Sequence, residues 1–375
     1  MNRGIATFTL DWGRCPPWLF ERMVKLAKAI VILIIEHFGA EEFLKRLSDP
    51  VWFQALGSLI AFDWNASGLT TTTMGALKEA FRGLEQDLGI FIAGGKGKTS
   101  RKTPDQILFW AEKINLDFNQ AKKYVYLSKL TAKVDSALIQ DGFEIYHHNF
   151  IFTKSGSWAV IQQGMNTKLQ KARRYHWFSQ TIKDLTVEPH QGIQSEIVLP
   201  KVLNLTDKKS FPNREGILKL VQEKKELSYQ IKRIKRLTDN SQLTLLDLSE
   251  NDFNFHPILK ENFFASKRLE KVIGNIVEKP NKTFEDILMT EGVGPRTIRA
   301  LALVSEIVFG ASPSYNDPVR YTYAFGGKDG IPYPVDKKVY DQTIGIIEQA
   351  IKKSGLGYFE KEKILRKSFQ LFNRR

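Results

Sequence analysis

The chain has 375 residues, with 55 Lys or Arg against 41 Asp or Glu, a net charge of +14. A hydrophobic content of 42% and a charged content of 26% exclude a largely disordered or collagen-like chain, and the length predicts two or three domains. The lone cysteine, Cys15, excludes an internal disulfide; with no signal-peptide pattern and no apolar run beyond residues 29–35, a cytoplasmic protein without a membrane span is expected.

The first domain is predicted over residues 1–205, with α+β or α/β character. A short strand at residues 5–11 leads to Pro16 and Pro17, which pre-set a turn and the start of a helix. Leu19, Met23, Leu26, Ala27 and Ile30 continue that helix at the right spacing, and a second is expected over about residues 41–59. A polar segment at 63–68 and four threonines precede a helix near 74–88. A strand at 88–93 then opens into GGKGKTSRK. Lys96, Lys98, Arg101 and Lys102 make this a mobile basic loop suited to tracking phosphates. It is no Walker A motif, because the first glycine would fall at Ile92. More helix is expected to about residue 139, then strands at 144–153 and 158–164 joined by a Lys-Ser-Gly-Ser turn. The following RRYHW sets Arg173 and Arg174 beside aromatic rings, a composition suited to phosphate contact and base stacking.

A helical connector is predicted over residues 206–250. Ile217, Leu220, Val221, Leu227, Ile231, Ile234 and Leu237 keep helical spacing, and the lysines and arginines between them form a basic face, solvated or turned to DNA. The rest, residues 251–375, is expected to be an all-α C-terminal domain.

Four histidines, His147, His148, His176 and His190, fall among Asp135, Asp141, Glu144 and Glu188. In a regular strand His147 and His148 point to opposite faces. Asp141 and Glu144 at a strand entrance, with Asp135 upstream and Gln162 or Gln163 on the paired strand, resemble the layout of restriction-type nucleases. There the carboxylates hold Mg²⁺ or Mn²⁺ and His147 or His148 handles a proton. The Glu-x-Lys of such sites is missing, since the sequence reads Gln163-Gly164-Met165. A structural histidine network is the alternative. No zinc-ligand spacing and no Gly-x-Ser-x-Gly elbow occurs.

In TFEDILMTEGVGPRTIRALALVSEIVFG, Thr283 is expected to cap a short helix ending near Met289 and Pro295 to start the next. Gly292 and Gly294 let backbone amides face a phosphate, with Arg296 adding charge. The segment resembles a helix-hairpin-helix, a sequence-independent binder of the DNA backbone. Downstream, YPVDKKVY is similar to the segment that follows the hairpin in helix-hairpin-helix DNA glycosylases. The resemblance implies that Asp336 stabilises charge developing at the sugar. Arg296 stands where bifunctional members carry a nucleophilic lysine, so no imine-forming lyase is implied.

Over nearly its full length the sequence resembles the prokaryotic domain of unknown function 763 family. The motifs are GRCPPWLFERMVKLAKAI, SGLTTTTMGALKEAF, GGKGKTSRKTP, WAVIQQGMN with ARRYHW, and GVGPRTIRALALV with DGIPYPVD. That resemblance implies no activity. The residues themselves lead to a DNA-binding, DNA-processing protein, a metal-dependent nuclease of DNA repair. The alternatives are a glycosylase using Asp336 and a non-catalytic nucleic-acid-binding recruitment factor.

Overall fold

The computed structural model describes residues 15–61, 66–223, 267–280 and 283–319, together with positions 227, 229 and 349. The strand expected at residues 5–11, most of the basic connector and Asp336 lie outside these residues.

Helix α1 (Pro17–Ser48) starts where the paired prolines predict and bends at Gly39, whose φ of 83° suits a residue without Cβ. The helix expected over 41–59 is split. Pro50 has no N–H to continue α1, so the chain breaks and α2 (Pro50–Ala61) begins. The Asp49 carboxylate at the break accepts from the amides of Val51 (2.8 Å) and Trp52 (2.9 Å). Helix α3 (Ala66–Phe81) starts earlier than expected and takes in all four threonines. The hydroxyls of Thr71 and Thr72 donate back to the Gly68 carbonyl at 3.1 and 2.9 Å, which satisfies them inside a helix. After the short α4 (Glu85–Leu88) the chain enters β1 (Ile90–Lys96). Residues expected as a loop instead extend this strand through Gly94 and Gly95, and Gly97–Lys102 forms a 3₁₀ turn.

Helices α5 (Thr103–Lys113) and α6 (Phe118–Lys133) follow, then a π-helical turn (Val134–Leu138) and the two-residue β2 (Ile139–Gln140). The hairpin falls where alternation predicts it, as β3 (Glu144–Thr153) and β4 (Trp158–Asn166). The arginine–aromatic segment is an inner strand, β5 (Lys171–Phe178), and β6 (His190–Ser195) completes the sheet. Strand order is β1-β3-β4-β5-β6 with every pair antiparallel, so the mixed α/β composition is of the α+β kind. A minor ladder joins β2 to β7 (Leu203–Asn204).

Period-two alternation gives the sheet two covered faces. Ile92, Ile151, Ala159, Ile161 and Phe178 pack with α1–α3. Phe91, Phe150, Phe152, Trp158, Val160 and Trp177 pack with α5, α6 and the later helices α7 (Phe211–Gln222), α8 (Lys267–Glu278), α9 (Phe284–Met289) and α10 (Pro295–Phe309). Each such side chain contributes about 1.5–3 kcal/mol when fully buried. This second core runs across the boundary expected near residue 205: Leu203, Leu205, Ile217 and Leu301 belong to one cluster with the sheet. Among the described residues no helix is long and apolar enough to cross a membrane.

Candidate functional site

Strand β5 carries the first correction. Arg173 and Arg174 are both 0% exposed, so neither grips a DNA phosphate. Alternation sends them to opposite faces. Arg173 donates to Asp141 Oδ2 and to Asp317 Oδ2, each at 2.8 Å, and Tyr175 Oη donates to Asp141 Oδ2 at 2.7 Å. The second Asp141 oxygen accepts from the Phe143 amide at 2.9 Å. Burial works against the Arg173 charge, but the carboxylates of Asp141 and Asp317 outweigh it and hold the guanidinium charged. Asp141 therefore anchors an ion network. Glu144, three residues on, is exposed to solvent. The two carboxylates expected to hold Mg²⁺ or Mn²⁺ do not converge, and among the described residues no group of three His, Cys, Asp or Glu side chains is set to hold a metal.

Asp135 lies on the π-helical turn, whose extra residue per turn rotates the carboxylate into the core. It accepts from Trp177 Nε1 (3.0 Å) and from Gln162 Nε2, and it pairs with His190 Nε2 (2.5 Å). Gln162 Oε1 in turn accepts from His148 Nδ1 at 2.8 Å, which leaves His148 Nε2 to accept from Ser128 Oγ at 2.9 Å. Burial pushes His148 towards the neutral form that this pattern requires. Ser128 and His148 are only 3% and 5% exposed, so the serine–histidine pair belongs to a satisfied core chain. Asp135→Asn places an amide against these donors and is expected to cost about 2 kcal/mol in a urea melt. A loss below about 0.5 kcal/mol would leave the histidine chain without a structural role.

His147 and His148 do take opposite faces. His147 turns towards α1–α3, and burial, reinforced by the positive charges of Lys96 and Lys78, lowers its pKa to about 3. In this environment it stays in the neutral form near neutral pH. The ladder lines up Lys96, His147, Gln163, Arg174 and Gln194 as one row across all five strands. On this face Arg174 donates to Thr70 Oγ1, Gln54 Oε1 and His176 Nε2, each at 2.9 Å, and to Gln194 Oε1. Sequence reading missed Gln54, Thr70, Gln194 and Asp317. For Gln194 the available signal was a polar residue recurring at alternate positions of a strand buried on both faces; Gln54 and Thr70 lie on α2 and α3 and Asp317 follows α10, where that pattern does not apply.

The remaining expected residues gather at the surface. Lys96, Lys98, Arg101 and Lys102 are exposed at the end of β1 and on the 3₁₀ turn, and none of the described ion pairs uses them. Thr283 caps α9 through a capping box with Asp286, and Pro295 opens α10, as predicted. Between the helices Gly292 has φ 83°, and a Cβ there would meet Val272 Cγ2 at 2.8 Å. Gly294 is the extended N-cap of α10, with nothing near its missing Cβ, and Arg296 is exposed. Lys133 Nζ donates to the carbonyls of Leu288 (2.8 Å) and Thr290 (3.1 Å), and Gln140 Nε2 to that of Pro295 (2.9 Å). Gln140 lies just before β3, and Lys96 pairs with His147 near the start of β3. The turn between α9 and α10 thus shares one end of the sheet with the basic turn.

Comparison with curated proteins and with solved structures finds no match to either. The family model described as protein of unknown function (DUF763) matches residues 4–335, and the chain belongs to that family.

Proposed function

We propose that this protein binds nucleic acid, DNA first, through its phosphate backbone at one end of the sheet. The observation that carries this reading is the exposure of Lys96 at the end of β1 and of Lys98, Arg101 and Lys102 on the turn that follows, apart from every described ion pair. A surplus of fourteen positive charges would steer such a surface to a polyanion. The α9–α10 segment supports the reading as a helix-hairpin-helix. Glu291, Gly292 and Pro295 of its turn are exposed while Val293 is buried beneath them, and Lys133 and Gln140 brace it from below. Phosphate contacts of both kinds fix position without reading sequence.

Fluorescence anisotropy with a labelled duplex tests this. Binding should weaken steeply with salt. Changing Lys98, Arg101 and Lys102 together to Glu should lower affinity by about 10²-fold or more and reduce the salt slope by about 3. Arg296→Glu should add a smaller loss that does not depend on sequence. Unchanged affinity in the triple variant, with its fold intact by circular dichroism, would remove the basic turn from the binding surface.

A further inference from the structure

Helix α6 has one face in the core and one in solvent. Ala121, Tyr124 and Leu127 are buried, while Phe118, Lys122 and Lys129 are exposed. With 3.6 residues per turn, Phe118, Lys122, Lys129 and Lys133 fall within about 60° of one another and form one stripe along the helix. Lys133 is the residue that braces the α9–α10 turn, and Phe118 opens the helix ~22 Å away at 1.5 Å per residue. Phe118 is 64% exposed, the most of any large hydrophobic side chain among the described residues, and Lys122 Nζ stands 4.2 Å from its ring centroid. Phe109, one turn before the end of α5, is 50% exposed, with Lys113 Nζ 5.7 Å from its ring centroid. Two open rings, each with an ammonium group over it, thus flank the short connection between α5 and α6.

The exposed face of α5 is close to neutral, because Asp105 and Glu112 offset Lys102 and Lys113. That of α6 is positive: Lys122, Lys123 and Lys129 are exposed, and none of the described ion pairs uses them. Asp117, next to Phe118, is occupied in capping the helix, accepting from the amides of Asn119 (2.9 Å) and Gln120 (3.1 Å). Towards the other end Glu285 accepts from Tyr126 Oη, while Glu291 on the turn stays exposed. An apolar partner would bury Phe118 only by also taking the Lys122 ammonium out of water. A nucleotide meets both at once, its base stacking on the ring and its phosphate on the ammonium. We propose that α6 carries a DNA single strand away from the α9–α10 turn, with phosphates on Lys129 and Lys122 and bases stacked on Phe118 and Phe109. The track rests on the DNA surface proposed above and narrows its substrate to duplex with an unpaired tail.

Fluorescence anisotropy with the full chain tests the track. The probes are a blunt duplex, the same duplex with a 3′ or a 5′ tail of about ten thymidines, and a duplex whose tail is abasic, keeping phosphates but not bases. A thymidine tail of one polarity or both should tighten binding about tenfold or more, and the abasic tail should give much less of that gain. Phe118→Ala should bring the thymidine-tailed duplex most of the way back to the blunt one, whereas Phe118→Trp should keep the gain. Phe118 is exposed, so neither change threatens the fold. Changing Lys122 and Lys129 together to Glu should cut the gain and lower the salt slope for the tailed duplex by about 2. Equal affinity for blunt and tailed duplexes overturns the track alone; failure to bind even the blunt duplex overturns the DNA surface and the track with it. A full gain with the abasic tail, or in Phe118→Ala, also overturns the track, because charge alone would then hold the strand. So does a Phe118→Ala variant that keeps the gain but halves the mass seen in sedimentation, which would assign the ring to a second copy of the chain.

Discussion

Asp317→Ala is expected to destabilise the fold by about 3–5 kcal/mol, because it strips one of two carboxylates from a guanidinium that has no water around it. Arg173, Asp141 and Asp317 have side-chain exposures of 0%, 1% and 1%, and Asp317 takes both terminal nitrogens of the arginine, at 3.1 and 2.8 Å. The same carboxylate also accepts from the Leu199 amide at 2.7 Å. Arg173→Met alone should be as harmful, since it leaves two carboxylates buried together. A triple variant with Met at 173 and Leu at 141 and 317 removes all three charges and should recover much of the loss. Urea melts of the set measure this. A loss under about 1 kcal/mol for Asp317→Ala would mean that the ion network is open to water.

Gly94→Ala should cost about 4 kcal/mol or prevent folding. Gly94 has φ +104°, and a Cβ there would sit 2.1 Å from the His148 carbonyl oxygen, which is ladder backbone and cannot move aside cheaply. Its own amide donates to Gln106 Oε1 at 2.9 Å and its carbonyl accepts from Lys78, so neighbours fix it on both sides. Gly97→Ala is the control. Gly97 has φ +58° but open space around it, so the expected loss is about 1 kcal/mol, from the left-handed backbone alone. Comparing the two melts separates close approach from backbone strain. Equal losses would show that the ladder at Gly94 yields.

What the sequence made legible was local. The cap at Thr283, the proline starts of α1 and α10, and the β3–β4 hairpin each rest on residues a few positions apart, and all fall where the pattern predicts. The opposite facing of His147 and His148 follows from alternation alone. Arg173 and Arg174 misled because paired arginines among aromatics look the same in sequence whether they face solvent or core. What decides is the partners, and those are remote: Asp141 is 32 positions away, Asp317 is 144, and Gln54 lies 120 positions from Arg174. The split at Asp49-Pro50 was readable from the proline. The inclusion of the threonines in α3 was not, because it depends on back-bonding that only a formed helix offers.

The bond between Arg173 and Asp317 also carries a timetable. A ribosome adding about 5–20 residues per second delivers the second carboxylate on the order of 10 s after the arginine it neutralises. During that interval β5 can pair with β4, but of the two carboxylates around its guanidinium only Asp141 is present, with the Ile197 carbonyl as a neutral partner. The nascent sheet therefore waits, incompletely neutralised, for a segment synthesised 144 residues later. Stalling the ribosome just before or just after residue 317 leaves the exit tunnel should give nascent chains of sharply different protease resistance, although every strand of the sheet is already outside in both.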